Sequence, residues 1–297
     1  MDSGNLVLQY FLSGITKGSI YAVVAIGFNL IYSATGVLNF AQGEFVMLGG
    51  MLAVTLAHFT PLPVAVTGAV AAVAVIGCLL EILFFRKLRH HSVLHLIIIT
   101  IGLSIVIQEA ALHLWDEKVR SLPYFTGNEV SSIPFFGATI PPQVLWVLGT
   151  VAVTVILLHV FLKYTLQGRA MRACSSNPEA AMLAGINIPN MRTLSFGLSA
   201  ALGALAGCVI SPMTMTQYDM GAPLAIKGFA AAIFGGLGNP MASVVGGLLV
   251  GVLEAFSVKW LPAAYSDVAA FAIMLLVLFV RPHGLLGRPE GASVRDH

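Results

Sequence analysis

Asn39, Gln42 and Glu44 stand within six residues of one another at the start of an apolar run, just after Thr35 and Gly36. Polar groups are costly there, so they require polar partners or a water-filled cavity. They are therefore candidates for lining a pathway through the protein. The competing reading makes Glu44 an interfacial carboxylate near the cytoplasmic end of its run. A second candidate is Gly235-Gly236-Leu237-Gly238-Asn239-Pro240. Glycine permits dihedrals closed to other residues, and Asn239-Pro240 reads as a fresh helix cap and first turn. Gly236, Gly238 and Asn239 then line a break whose second helix aims its positive end inward, which suits an anionic group such as a carboxylate. A tight glycine turn between packed helices is the alternative.

The third candidate is a polar interval. Between Lys163 and Arg192 the oily chain turns hydrophilic, and Asn177-Pro178-Glu179-Ala180-Ala181-Met182-Leu183-Ala184-Gly185 specifies a short bounded helix. Asn177 can cap it, Pro178 suits its first turn, Glu179 favours its positive end and Gly185 stops it. The seven residues from Pro178 to Ala184 rise only about 10 Å, and an isolated helix that short is marginal in water. It needs a surface, either on its own protein or on another chain. Arg169 and Arg172 lie just upstream, inside the same loop, 165–192.

Other chemistry is missing from the sequence. There is no G-x-x-x-x-G-K-[ST] phosphate loop, no H-E-x-x-H pair and no G-x-S-x-G elbow. His90, His91 and His95 read as a solvated patch, and Cys78, Cys174 and Cys208 have neither disulfide nor metal spacing. The chain is therefore expected to have no catalytic residue, metal site or cofactor of its own. Lys17, Glu81, Glu109 and Glu254 can each snorkel to an interface and receive no role. Glycines four apart, Gly14 with Gly18, Gly203 with Gly207 and Gly247 with Gly251, mark close helix contacts.

What must position these groups is a membrane protein. With 58% hydrophobic and 9% charged residues and a mean hydropathy of +0.90, the chain has too few charges to cover a soluble surface. Its partner is membrane lipid; a net charge of +2 is too small to suggest nucleic acid. Apolar runs are Leu6–Tyr32, Phe40–Phe59, Pro63–Phe85, Val93–Trp115, Val144–Tyr164, Thr193–Met213, Ala225–Phe256 and Ser266–Val280. They predict an all-α polytopic protein of about eight embedded segments in one domain, 1–297. Met1 to Gln9 lacks the basic region of a secretory signal, so the first run is expected to stay as a membrane helix.

Arg86, Lys87 and Arg89, then Lys163, Arg169, Arg172 and Arg192, then Arg281, Arg288 and Arg295 follow or flank these runs. The positive-inside bias places all of them in the cytoplasm, with the C-terminus inside, the N-terminus outside and 116–142 as the main outer loop. Ala225–Phe256 must then begin and end outside. Its first piece, Ala225–Phe234, covers only about 15 Å and is predicted to be a re-entrant half-helix. Non-helical backbone at that depth survives only against protein or a watery cavity.

The stretches Gly18-Ser19-Ile20-Tyr21-Ala22, Asn39-Phe40-Ala41-Gln42-Gly43-Glu44, Asn177 to Asn187 and Gly235 to Pro240 together resemble the branched-chain amino acid ABC transporter permeases of the LivH type. The likeness runs over nearly the whole chain. Glu179-Ala180-Ala181 with Gly185 is also similar to the E-A-A-x-x-x-G loop of bacterial importer permeases, although Ser195 stands where the wider pattern has isoleucine. The resemblance implies an inner-membrane importer of heteromeric build. A second permease of the LivM type, two ATPase subunits of the LivG and LivF type that hold ATP and Mg, and a periplasmic binding protein complete it. In that family Arg169, Arg172, Asn177, Glu179, Ala180, Ala181 and Gly185 fall in the ATPase-contacting loop. The outer segments 116–142 and 214–223 are expected to meet the binding protein. A secondary transporter would also use broken helices, and an intramembrane enzyme would need converging acid, base or nucleophile groups, which the spacing does not offer.

Overall fold

Helix α1, Ser3–Thr35, is the axis of the bundle. In the computed structural model residues 3–86, 93–128, 130–135, 138–259, 262, 265–281 and 284–286 are described; Lys87, Arg89, His90, His91, Arg288 and Arg295 lie outside them. Six helices are long and apolar enough to cross a membrane among these residues. Three are central: α1, α8 (Ile188–Thr214) and α10 (Pro240–Ser257), with 72%, 67% and 50% of their most apolar stretch buried in the protein. The other three are peripheral, only 22–28% buried. They are α3 (Leu62–Leu80, prolonged by a π-helical turn to Phe85), α4 (Val93–Trp115) and α5 (Pro142–Tyr164). Their outward side chains are apolar, as a surface against lipid requires.

Shorter apolar helices complete the set: α2 (Gln42–Ala57), α9 (Gly221–Gly235) and α11 (Ser266–Val280). The eight expected runs are thus nine helices, because Ala225–Phe256 is split into α9 and α10. The protein is an all-α polytopic membrane protein. Two features were not anticipated. The polar interval holds two helices, α6 (Leu166–Ser176) and α7 (Pro178–Leu183), where one was expected. The loop between α4 and α5 folds into a small antiparallel hairpin, β1 (Ile133–Phe135) and β2 (Ala138–Ile140), with Ile133 paired to Ile140.

Glycine sets how closely the central helices approach. The expected pairs Gly14/Gly18 and Gly247/Gly251 face each other, so that α1 and α10 run antiparallel. A methyl group added at Gly18 would lie 2.8 Å from the Gly247 carbonyl oxygen. Gly203 and Gly207 instead receive α2, which runs parallel to α8: a methyl on Gly203 would lie 3.0 Å from Phe45 Cβ, and one on Gly207 would strike the Val46 carbonyl. In lipid, where burial of apolar surface does not drive helices together, such contact supplies the association. Gly207→Val should therefore force α2 from α8 and cost about 1–3 kcal/mol. A detergent-solubilised variant melting like wild type would refute this.

The chain order of contacts defines two faces. Ser33 and Ala34 of α1, Lys163 of α5, Arg172 of α6 and Pro240 of α10 meet at one level, and Phe85, at the end of the α3 extension, packs on Phe196 near the start of α8. At the opposite level Gln9 of α1 exchanges hydrogen bonds with Thr139 at 3.0 and 3.1 Å, and Arg120 pairs with Thr216. The described basic residues Arg86, Lys163, Arg172 and Arg281 thus lie at the first level, hereafter the basic face. The α4–α5 loop and the α8–α9 connection share the other.

Candidate functional site

Gln42 opens α2 deep in the bundle. Ser199 Oγ donates to Gln42 Oε1 at 2.6 Å and contacts the Gly27 carbonyl at 2.9 Å, while Gln42 Nε2 approaches the Ser199 carbonyl at 3.3 Å. Ser199 lies eleven residues into α8, about 16 Å above its start. The segment 36–41 therefore leads the chain back from the end of α1 into the interior. Glu44, two residues further, is 1% exposed, so the interfacial alternative for this carboxylate does not hold. Ser104 of α4 donates to its Oε1 at 2.9 Å, and its Oε2 faces Gly221 at the start of α9 without a hydrogen-bond partner. Asn39 is equally buried; its Oδ1 accepts from Ala41 N at 3.2 Å and its Nδ2 is unpaired. Gln42 is committed to a clasp between α1, α2 and α8, whereas Asn39 and Glu44 keep free polar atoms.

The second break is built by residues that chain position alone did not single out. Asn29, fully buried in α1, accepts from Gly238 N at 2.6 Å and donates to Ser243 Oγ. Gly236 and Gly238 take φ values of +129° and +83°, dihedrals that glycine adopts without strain. Asn239 Oδ1 accepts from Met241 N and Ala242 N at 3.1 and 3.3 Å, forming the expected cap. The carbonyls left open at the end of α9 are met by Leu285 N on Phe234 O (2.9 Å) and Leu286 N on Gly235 O (3.0 Å). The broken backbone is therefore largely satisfied by protein, although Gly238 and Asn239 themselves are exposed at the basic face rather than buried at mid-membrane depth. Asn29→Ala removes the acceptor of Gly238 N and should cost about 1–3 kcal/mol, read as a lower melting temperature. An unchanged value would show that the clamp is dispensable.

A third cluster corrects the snorkelling assignment for Glu254, and Glu81 departs from it too. Glu254 is 3% exposed and receives Lys17 Nζ at 2.9 Å, Tyr21 Oη at 2.7 Å and Lys227 Nζ at 3.2 Å, joining α1, α9 and α10. Glu81 is buried too and accepts from Thr193 Oγ1, while Glu109 is exposed. The signal that could have found Asn29, Ser199 and Lys227 is a lone polar residue inside an apolar run, which rarely faces lipid.

On the basic face α6 starts at a Thr165 cap, whose Oγ1 accepts from Gly168 N at 3.0 Å. Cys174 packs on its inner side, where burial pushes the thiol up. Asn177 both ends α6 and caps α7, accepting from Ala180 N at 2.9 Å. The stop is a Schellman motif: Ile186 N donates to Ala181 O and Gly185 N to Met182 O, both at 3.0 Å, with Gly185 at φ +83°. Ala181 turns inward at 4% exposure, whereas Met182 and Leu183 stand 61% and 88% exposed. Ser195, the departure from the importer pattern, is fully buried and bonds back to Met191 O at 2.9 Å.

The structure groups these candidates differently from their order in the chain. Glu44 meets the start of α9, and Gly236, Gly238 and Asn239 lie at or just past its end, about 22 Å away along fifteen residues. Gly238 and Asn239 instead meet Arg172 of α6 around a cavity of about 470 Å³. Arg169, Asn177, Glu179 and Ala180 are exposed on the basic face.

The chain matches the family described as "Branched-chain amino acid transport system / permease component" over residues 10–278. It is 33% identical to the high-affinity branched-chain amino acid transport system permease protein LivH of Salmonella typhimurium, covering 97% of each chain. Against the corresponding protein BraD of Pseudomonas aeruginosa identity is 35%, over 97% of this chain and 98% of that one. Similarity extends at 23% identity to the ribose import permease protein RbsC of Escherichia coli, over 88% of this chain and 82% of that one. No solved structure gives a significant match. A bundle of apolar helices with two polar breaks thus coincides with full-length similarity to transport permeases: the chain belongs to the branched-chain amino acid transport system permease family, as one membrane component of a transport system.

Proposed function

We propose that this permease carries branched-chain amino acids, or a related small amino acid, amide or carboxylate, inward by alternating access, driven by ATP bound with Mg on partner subunits. The substrate class follows the names of LivH and BraD, similar over 97% of the chain. The observation that carries the coupling half is α7, whose Met182 and Leu183 project 61% and 88% exposed from a six-residue capped helix. Apolar side chains on so short a helix are best accounted for by a docking groove on an ATPase subunit of the LivG or LivF type. Arg169 and Arg172 on α6, and Asn177, Glu179, Ala180, Ala181 and Gly185 on or around α7, form the coupling segment. The basic face is then cytoplasmic, with the C-terminus on that side and the N-terminus periplasmic, in a bacterial inner membrane.

Asn39 and Glu44 offer free polar atoms to a passing zwitterion, Gln42 holds their helix in place, and Gly236, Gly238 and Asn239 border the lower part of the route. The pairing of Arg120 with Thr216 supports a shared landing surface for a periplasmic binding protein on 116–142 and 214–223. A second permease of the LivM type completes the pore. Reconstitution tests this: proteoliposomes holding this chain, the second permease, both ATPases and the binding protein take up leucine only with ATP inside the compartment facing the basic side. Uptake by this chain alone on an ion gradient would replace the importer with a secondary transporter.

A further inference from the structure

The cavity of about 470 Å³ on the basic face has a one-sided charge pattern. Lys163, Arg172 and His159 line it with the hydroxyl-bearing Ser33, Ser175 and Ser176, and no aspartate or glutamate contributes to the wall. None of these three nitrogen-bearing side chains is held in an ion pair among the described residues; Lys163 lies over the ring of its neighbour Tyr164 at 5.2 Å. The start of α10, Asn239 to Met241, forms part of the same wall and adds the positive end of a helix dipole. The rest is apolar, from Leu30, Ala34, Leu162, Met171 and Met241. The cavity wall therefore carries both cationic and oily side chains.

We propose that it binds a phosphate group, carried by the headgroup of an acidic phospholipid whose glycerol and upper acyl chain lie against Leu30, Leu162 and Met241. Two fixed cations and an imidazole match the several acceptor oxygens of a phosphate better than a single carboxylate, and the guanidinium of Arg172 offers the fork such oxygens take. Depth agrees: the cavity lies beside the last turns of α1 and α5, where the spans leave hydrocarbon. Basic pockets between spanning helices at that level suit acidic headgroups. Free phosphate shares the polar half of this chemistry but leaves the apolar wall bare. The occupant bridges α6 to the start of α10 and so ties the segment that carries α7 to the broken helix.

The test compares the complete transporter, wild type and K163Q/R172Q, in bilayers of phosphatidylcholine alone or mixed with phosphatidylglycerol. Bound lipid is counted by native mass spectrometry and stability by thermal melting. Wild type should retain phosphatidylglycerol in preference to phosphatidylcholine and melt higher in the mixture. The variant should lose that preference by about thirtyfold, from roughly fivefold per charge removed. Met241→Trp, which fills the cavity and keeps every charge, should also expel the lipid, and it serves if the double variant does not fold. Stabilisation of wild type by inorganic phosphate in pure phosphatidylcholine, without retention of phosphatidylglycerol, would overturn the lipid source. Equal retention of the two lipids by wild type, or equal retention by wild type and both variants, would overturn the site.

Discussion

Replacing both Met182 and Leu183 with aspartate should abolish import while leaving the permease as stable as before. The two side chains stand 61% and 88% exposed, so their removal opens no cavity in this chain. The helix keeps what holds it: the Asn177 cap on Ala180 N and the paired bonds of Gly185 and Ile186. Burying a methionine or leucine at an interface contributes about 1.5–3 kcal/mol, and an aspartate would place an unpaired charge in the same groove. A loss near 2 kcal/mol per anchor, on the scale of an interface hot spot, multiplies to about a thousandfold weaker docking. Leucine uptake and substrate-stimulated ATP hydrolysis should fall together, and the ATPase subunits should no longer co-purify. Retained co-purification with normal uptake would remove α7 from the coupling role. Glu179→Lys and Gly185→Val probe the same segment from its ends. The first puts a cation at the positive end of the helix, and the second forces a β-branched residue to φ +83°.

The short helix was legible because its determinants are local. A cap, a first-turn proline and a stopping glycine lie within nine residues, and each acts through its own backbone. The split between α9 and α10 was legible for the same reason, with the added constraint that charge placement forbids a single straight span. Helix α6 was missed because its residues, Leu166 to Ser176, mix charges and serines without an apolar run, and it is fixed by packing on α5 and α8. Asn29, Ser199 and Lys227 were missed because their partners lie 209, 157 and 27 residues away. Nothing local in an apolar helix says whether a polar residue will find an acceptor across the bundle. The depth of Glu44 was open for a related reason: it depends on how far the segment 36–41 folds back, and Ser199 and Gly27 decide that. The glycine pairs gave the opposite lesson, since Gly14/Gly18 and Gly247/Gly251 were separately weak signals that turn out to be the two halves of one contact.

The largest stability effect should come from Glu254→Ala. Its carboxylate is the shared acceptor of Lys17, Tyr21 and Lys227 at 2.7–3.2 Å, and the side chain is only 4% exposed. Truncation leaves the partly buried Lys227, its side chain 16% exposed, without that counter-charge and removes the acceptor of the Tyr21 hydroxyl. Removing one member of a buried ion pair typically costs about 3–5 kcal/mol, more than the pair adds relative to an apolar replacement, because the surviving charge remains desolvated. The half-exposed Lys17 can turn toward water, so the lower end, about 3 kcal/mol, is the expected loss. Glu254→Gln should cost less, since an amide oxygen still accepts from Tyr21. The order of melting temperatures is thus wild type, then Gln, then Ala. Function should follow stability only in part: the cluster binds α9 and α10 to α1, and alternating access requires those helices to shift against their neighbours. Loosening the contact should raise ATP hydrolysis in the absence of substrate while lowering uptake per ATP in both variants. If Glu254→Ala melts and transports like wild type, the carboxylate is solvated in the working protein and the three helices are held together by their glycine contacts alone.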